Sequence, residues 1–315
     1  MQDPGRDGEH IMAKTGNGAA FMEMGLDFGA EAFSQEERDK LLGWYQTEHG
    51  LEDLSLVSYM VFLIDHLPGP YKRMRQHAQA TMVDRDGVSL PLLAYVLFYI
   101  HSYTAIDFPK GVLYEVMSAH HMGAPKQLVL DVIGHSYLSA GPRGMNAVAE
   151  LSDGYLTEWV DAPDLKPVEW PEGWGPDPDA FRAGIDYSTP DLTAEELQRI
   201  SEWHQRMHGV VPRHVELFGR LHPRALKLQR IRYEKSVGTV MPAQLAPLLM
   251  LHLATLRLQP QVMRQSLHQA RVLGCRRHHV VQTIEAGLRQ MMVHPLYTEQ
   301  ATDAVGDLLA GWEER

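Results

Sequence analysis

The chain carries Phe33-Ser-Gln-Glu-Glu-Arg38 followed by Trp44-Tyr-Gln-Thr-Glu-His-Gly50, and it repeats this pattern as Leu192-Thr-Ala-Glu-Glu-Leu197 followed by Trp203-His-Gln-Arg-Met-His-Gly209. Downstream the repeat continues in the same order, with two short deletions in the second copy, through the pairs Pro68/Pro223, Lys72/Lys227, Pro91/Pro242, His101/His252, Pro109/Pro260 and Gly123/Gly274. Tryptophan, glycine and several prolines in one collinear order indicate an internal duplication. The sequence therefore predicts two tandem copies of one unit.

Helix signals dominate both copies. Each copy opens with a capping box, Ser34-x-x-Glu37 and Thr193-x-x-Glu196, which is typical of a helix start. Apolar residues then recur every three or four positions in residues 54–67, 92–100, 112–122 and 128–138, which is the helical period. No alternation of apolar and polar residues runs for the length of a strand. We expect an all-α protein whose two helical units form one pseudo-twofold body.

The repeat divides the chain into four segments. Residues 1–30 are expected to be a disordered or tag-derived N-terminus, and residues 1–11, which precede Met12, are either vector-derived or an upstream start. The first helical repeat covers residues 31–160, a Pro- and Trp-rich connector residues 161–190, and the second helical repeat residues 191–315. Because tryptophans gain stability by burial, Trp170 and Trp174 favour an ordered connector.

Composition limits the classes of partner. With 44% hydrophobic and 22% charged residues the chain is typical of globular proteins. A net charge of -11 disfavours nucleic acid, whose phosphates require clustered Lys and Arg. No apolar run is long enough to span a membrane and no secretory signal is present. We expect a cytoplasmic protein that binds a small molecule, with no nucleic-acid or membrane partner.

The sequence offers little for metals or cofactors. Its single cysteine, Cys275, excludes an intramolecular disulfide, a Cys-x-x-Cys pair and a cysteine-rich zinc site. His204 and His208 share a helical face as two zinc ligands would, but no glutamate follows His204 and no third ligand is evident. Phosphate-binding glycine loops are also missing. We expect no metal and no cofactor.

A family resemblance lies in Met122-Gly-Ala-Pro-Lys-Gln-Leu-Val-Leu-Asp-Val-Ile-Gly-His-Ser-Tyr-Leu-Ser-Ala-Gly-Pro-Arg-Gly-Met-Asn-Ala147. This stretch is similar to the carboxymuconolactone decarboxylase and alkyl hydroperoxidase D-like family, in which a turn glycine is followed twelve residues on by His or Gln and then by a Gly/Pro turn. Here Gly123 is followed by His135 and then by Gly141-Pro142. The resemblance covers both copies and implies a ring-like homo-oligomer, with a trimer of two-repeat chains replacing a hexamer of single units.

The cysteine pair of the family's peroxidases is not retained. Peroxidase members carry a Glu, a Cys-x-x-Cys pair and a His at positions that correspond here to Val96, Phe108, Gly111 and Glu115 in the first copy and Pro247, Gln259, Val262 and Ser266 in the second. Without a thiolate at these positions, thiol peroxidase chemistry is excluded. The decarboxylase branch implies a cofactor-independent lyase or isomerase that uses acid/base residues on a hydrophobic or aromatic-derived carboxylic acid or lactone. The alternative is a non-catalytic helical scaffold or small-ligand-binding protein that has lost this chemistry.

The candidate site residues belong to the first copy. The resemblance places His135 and Glu115 at pocket-forming positions, where the second copy has Ala286 and Ser266. A carboxyl and histidines in one apolar pocket can have pKa values that suit an acid and a base. We predict catalytic roles for His135, Glu115 and His101, and substrate-binding roles for Tyr103, Asp107, Tyr137 and Tyr99.

Structural roles remain open for several of these residues. His135 can instead be a hydrogen-bonded core histidine. The repeated pairs His101/His252 and His49/His208 favour a shared structural role within each unit. Asp107 precedes Pro109 closely enough to cap the helix that begins there.

Overall fold

The structure, a computed structural model, describes residues 24–48, 51, 54–82, 89–290 and 295–312. These ranges contain no strand, and the protein is all-α, as the sequence predicts. Residues 1–23 of the expected N-terminal segment lie outside the described residues, as does His49. The α-helices within these ranges are α1 Gln35–Glu48, α2 Ser58–His66, α3 Pro68–Met82, α4 Leu92–Ile106, α5 Pro109–His121, α6 Lys126–Glu158, α7 Ala194–His208, α8 Arg213–Leu221, α9 Pro223–Lys235, α10 Leu245–Leu256, α11 Pro260–Val272, α12 Arg277–Gln290 and α13 Pro295–Ala310.

Both capping boxes form. The Glu37 N–H donates to Ser34 Oγ at 3.2 Å, and the Ser34 N–H donates to Glu37 Oε2 at 2.8 Å. At the start of α7 the corresponding distances between Thr193 and Glu196 are 3.1 and 3.0 Å. The predicted starts of α1 and α7 are confirmed.

Each capping glutamate also pairs with a buried lysine. Lys72 Nζ lies 3.0 Å from Glu37 Oε1, and Lys227 Nζ lies 2.8 Å from Glu196 Oε1. Burial opposes ionisation of Glu37, but hydrogen bonds from Ser34, Lys72 and Asp27 outweigh it and lower its pKa to about 2. These ion pairs fasten α1 to α3 and α7 to α9.

Helices α4 and α10 lie at the centre of the molecule. They pack against each other, while α4 also contacts α5 and α6, and α10 contacts α11 and α12. Leu97 and Phe98 of α4 and Leu248 and Leu249 of α10 are completely buried within one continuous apolar cluster. Residues 31–160 and 191–315, hereafter the first and second halves, therefore share a core. No helix in the described ranges is long and apolar enough to cross a membrane.

A smaller apolar cluster joins α1, α2 and α3 to α5. Leu41, Tyr45, Ile64 and Tyr71 are buried there, and Tyr114 of α5 completes it. The hydroxyls of Tyr45 and Tyr71 lie 2.6 Å apart and satisfy each other inside this cluster. Helices α1, α2 and α3 cover one side of α4 and α5, and a cavity remains between this cover and the two helices.

Helix α6 is kinked at the Gly/Pro turn. Gly141 has φ 61° and ψ -159°, and Pro142 follows it. The positive φ favours glycine, and proline starts a new helical segment readily. Past the kink, a Cβ on Gly144 would lie 2.7 Å from the Thr104 carbonyl oxygen, so glycine allows α6 to approach α4 closely.

The connector packs on the second half. The Ala243 N–H donates to the Gly175 carbonyl at 2.8 Å, and Trp203 Nε1 donates to the Ala180 carbonyl at 2.9 Å. Trp174 lies edge-on to His279, with ring centroids 5.1 Å apart. Its backbone and tryptophan contacts give the segment before α7 a defined path.

Candidate functional site

A cavity of about 360 Å³ lies between α1, α2, α3, α4, α5 and α12. We call it the tyrosine cavity because six tyrosines line it: Tyr45, Tyr59, Tyr95, Tyr99, Tyr103 and Tyr114. Methionines and aliphatic side chains form much of the remaining wall. A cavity of this size and lining suits a small, largely apolar ligand.

Glu115 is the only carboxylic acid on the described wall of the tyrosine cavity. Its side chain lies on the inner face of α5, is 4% exposed, and forms no hydrogen bond or ion pair with any described residue. Burial raises the pKa of Glu115 well above its ordinary value of 4.5. The group is therefore a neutral carboxylic acid over more of the pH range than an exposed glutamate.

The phenols around Glu115 are also neutral. Burial raises the pKa values of Tyr103 and Tyr114, and the nearby Glu115 raises them further. Tyr103 packs edge-on against Phe108, with ring centroids 5.2 Å apart. Gly111 leaves room for this packing, because a Cβ there would clash with the Phe108 ring.

The second half contributes a cation to this cavity. Arg289 of α12 is 6% exposed, and its Nη2 donates to Tyr99 Oη at 2.7 Å. Its Nη1 donates to Thr81 Oγ1 at 3.4 Å, and the guanidinium carbon lies 5.8 Å from the centre of the Tyr95 ring. Within the described ranges no carboxylate pairs with Arg289. Its contacts there are the hydroxyls of Tyr99 and Thr81 and the Tyr95 ring, which carry no negative charge.

A second cavity, of about 230 Å³, lies between α6, α7, α9, α10 and α11. We call it the histidine cavity because His135 and His208 line it, together with Tyr233, Ser266 and Gln269. Burial lowers the pKa values of both histidines to about 4, and the charge of Arg230 contributes for His208. Both imidazoles are therefore neutral near pH 7.

The three predicted catalytic residues do not share one cavity. Glu115 lines the tyrosine cavity and His135 lines the histidine cavity. His101 is completely buried between them and lines neither, with its Nε2 3.4 Å from His135 Nδ1. Burial lowers the pKa of His101 well below 6.5, and the neighbouring histidines add to that effect.

The predicted substrate-binding residues also separate. Tyr99 and Tyr103 line the tyrosine cavity. Tyr137 is 37% exposed and lines neither cavity. Asp107 accepts from Arg143 Nε at 2.6 Å, on the surface.

The hypothesis that Asp107 caps the helix beginning at Pro109 is wrong. Phe108 occupies the N-cap position of α5. Asp107 instead ends α4 in the left-handed conformation, with φ 63°. The two-residue connection between α4 and α5 leaves the Asp107 carboxylate paired with Arg143 rather than with the first turn of α5.

Sequence reasoning missed Arg289 and Gln290, both at the end of α12. The repeat alignment that pairs Gly123 with Gly274 also pairs Leu138 with Arg289 and Ser139 with Gln290. A charged residue replacing leucine on an otherwise apolar helical face is the signal that could have identified Arg289.

His204 and His208 do approach each other, with their Nδ1 atoms 3.0 Å apart. Burial lowers the pKa of His204 to about 3, and His208 adds to the shift. Among the described residues no group of three or more His, Cys, Asp or Glu is placed to hold a metal ion.

Comparison with known proteins gives no match: no family model, no curated protein and no solved structure is similar to this chain.

Proposed function

We propose that the tyrosine cavity binds a small hydrophobic or aromatic-derived carboxylic acid or lactone, and that the protein is a cofactor-independent lyase or isomerase in which Glu115 transfers the proton. The observation that carries this proposal is one unpaired, buried carboxyl group in a cavity lined by aromatic and methionine side chains. Burial of an acid beside a substrate is a common way to keep a proton available near neutral pH.

The proton transfer balances without a bound cofactor. In a decarboxylation, the electrons of the breaking carbon–carbon bond stay on the substrate, carbon dioxide leaves, and Glu115 supplies the proton that replaces it. Solvent then returns a proton to Glu115. In an isomerisation, Glu115 delivers a proton at one atom and the carboxylate recovers one from another.

The proposed relationship to the carboxymuconolactone decarboxylase family includes the tandem repeat and its pseudo-twofold arrangement. The lining of the two cavities supports it. The alignment pairs Tyr99 with Met250 and Glu115 with Ser266, each on the wall of its own cavity. Each half also closes the cavity of the other half: the second half supplies Arg289 and Gln290 to the tyrosine cavity, and the first half supplies their counterparts Leu138 and Ser139 to the histidine cavity.

A second candidate function is non-catalytic binding of the same class of ligand. It is favoured by the placement of His101 and His135, which face away from the tyrosine cavity and leave Glu115 without a neighbouring base. In that case Glu115 serves as a hydrogen-bond donor to the ligand.

The variant Glu115→Gln separates these functions. We first identify bound members of a panel of aromatic carboxylic acids and lactones by calorimetry, and then follow turnover and deuterium uptake from D₂O by NMR. Glu115→Gln is expected to retain binding and to lose turnover or exchange by about 100-fold or more, because glutamine keeps the hydrogen bond but transfers no proton. The exposed residue Glu150 provides the matched control, Glu150→Gln.

Wild-type turnover that persists in Glu115→Gln would contradict the catalytic role of Glu115. Tight binding by the wild-type protein, without turnover or exchange of any bound compound, would instead establish the binding function.

A further inference from the structure

Arg289 differs from three other buried cations of this protein. Lys72, Lys227 and Arg230 each lie within 3.0 Å of a carboxylate oxygen. Arg289 is buried to a similar degree, but its partners in the described ranges are the hydroxyls of Tyr99 and Thr81. Burial of a cation is costly unless an anion balances it. The cavity beside Arg289 is where such an anion can enter.

The residue next to Arg289 adds a second donor. Gln290 Oε1 accepts from Ser102 Oγ at 3.0 Å. Gln290 Nε2 is buried on the wall of the tyrosine cavity beside the Tyr103 hydroxyl, whose pKa it lowers, and it makes no close hydrogen bond within the described part of the chain. A guanidinium and an amide N–H, both on the last turn of α12, call for a ligand group that accepts several hydrogen bonds.

Tyr99 is oriented by the same contact. Its oxygen accepts from Arg289 Nη2, so its own O–H is free to donate. Arginine, amide and phenol donors around one corner of an apolar cavity match a planar carboxylate, which accepts from several donors at once. Arg75 of α3 also lines the cavity, but its guanidinium lies over the Trp44 ring and it belongs to the first half. The aromatic and aliphatic lining of the remaining wall favours a monoanionic head group at Arg289 over a dianionic phosphate, because burial of a second charge would cost more.

Glu115 lies away from this corner. Its pKa is raised by burial, and no nearby cation offsets the increase. A ligand that reaches both groups therefore has its anionic end at Arg289 and its apolar body between the tyrosines.

We infer that the ligand of the tyrosine cavity is a monoanionic, open-chain carboxylate with an aromatic or apolar body, held by Arg289, Gln290 and Tyr99. This inference rests on the proposed function for the location of the site. It selects the free acid over the neutral lactone, and isomerisation over decarboxylation, because the one carboxylate of the ligand lies at Arg289 and not beside Glu115. Because α12 belongs to the second half, neither half contains the whole site.

The test compares acids with their neutral amides. Binding of phenylacetate, 3-phenylpropionate and 4-phenylbutyrate, and of the three corresponding amides, is measured by calorimetry at pH 7 on the full chain. We expect at least one acid to bind the wild-type protein ten-fold or more tightly than its amide. Equal affinity of acid and amide throughout the series, or no binding of any acid, would overturn the inference.

Variants assign the preference to the side chain. Arg289→Gln is expected to weaken binding of the preferred acid by about 100-fold and to leave its amide unchanged, and Arg289→Lys to retain part of the preference. Arg277→Gln, an exposed change at the start of the same helix, is the matched control. An undiminished acid preference in folded Arg289→Gln contradicts the role of Arg289. Should that variant not fold, an undiminished preference in Arg289→Lys contradicts the role of the guanidinium.

Glu115→Gln distinguishes this inference from the proposed function. That variant is expected to keep the preference for the acid while losing turnover. Loss of turnover without any acid preference would leave Glu115 as the acid and remove Arg289 as the anchor. An acid preference with unchanged turnover would leave Arg289 as the anchor and remove Glu115 as the acid.

Discussion

Glu115 and His135 are both buried titratable side chains, and burial moves their pKa values in opposite directions. The pKa of the carboxyl rises well above 4.5, and that of the imidazole falls from 6.5 to about 4. Each group is thereby held in its uncharged form. Of the two, only Glu115 faces the tyrosine cavity. Burial therefore keeps a protonated carboxyl group in that cavity and a neutral imidazole, that of His135, beside His101.

The shifted pKa of His135 predicts a loss of stability in acid. The folded state binds its proton only near pH 4, whereas the unfolded chain binds it near pH 6.5, so the contribution to the free energy of unfolding is complete above pH 6.5 and is lost as the pH falls to about 4. The loss amounts to about 3 kcal/mol. In His135→Gln we expect the decrease between pH 7 and pH 4 to be smaller by that amount, measured by urea denaturation.

His222, which is exposed, provides the control variant His222→Gln, expected to follow the wild-type pH dependence. Turnover per folded molecule of His135→Gln should remain near that of the wild type, since His135 lines the other cavity. A 100-fold loss of turnover with an unchanged pH dependence would instead place His135 in the chemistry.

At the level of helices, the sequence predicted what local rules determine. The capping boxes at Ser34 and Thr193 and the apolar period of α4 and α5 depend on residues a few positions apart. The end of α4 was not predicted correctly. Whether Asp107 or Phe108 occupies the N-cap position of α5 depends on the backbone conformation of the turn, which the residue types do not determine. The contact between Arg289 and Tyr99 joins residues far apart in the sequence, and no local pattern predicts it.

The buried ion pair between α7 and α9 gives a prediction at this scale. Lys227 is completely buried against Glu196. Lys227→Met removes the cation and leaves a buried carboxylate without its charge partner, which is expected to cost about 3 kcal/mol or more of the free energy of unfolding. Chemical denaturation measures the change.

An exposed pair provides the comparison. Lys40 lies near Glu36 on the surface of α1, and Lys40→Met is expected to cost far less than Lys227→Met, because water screens an exposed ion pair. Equal losses in Lys40→Met and Lys227→Met would show that burial of the second pair has no energetic consequence. Adding Glu196→Gln to Lys227→Met should recover part of the loss.

At the scale of the whole molecule, polar contacts supplement the shared apolar core. Asp131 of α6 accepts from the N–H groups of Val240 at 2.8 Å and Met241 at 3.1 Å. Arg257 Nη2 donates to the Ala105 carbonyl at 2.6 Å, and the Leu90 N–H donates to Gln282 Oε1 at 3.1 Å. The two halves are therefore joined on several sides, and we expect them to unfold together.

We propose a trimer for the assembled protein, as the family resemblance implies. Phe62 on α2 and Leu217 on α8 occupy corresponding positions of the two halves, and both are exposed, at 55% and 39%. Large apolar side chains at matched surface positions suit a symmetric contact between chains. Light scattering is expected to give three times the chain mass of 35.6 kDa. A strict monomer at micromolar concentration would contradict the proposal.

The placement of Arg289 has a consequence for how this chain can change over generations. The second half has serine where the first has Glu115, yet its helix α12 forms part of the wall of the tyrosine cavity. Selection for ligand binding in the tyrosine cavity therefore also acts on Arg289 and Gln290 of α12, although the rest of the cavity wall belongs to the first half. A deletion of residues 191–315 would remove this wall together with part of the shared core, so the first half does not keep the cavity by itself. The second half, which lacks a counterpart of Glu115, is therefore retained together with the first half.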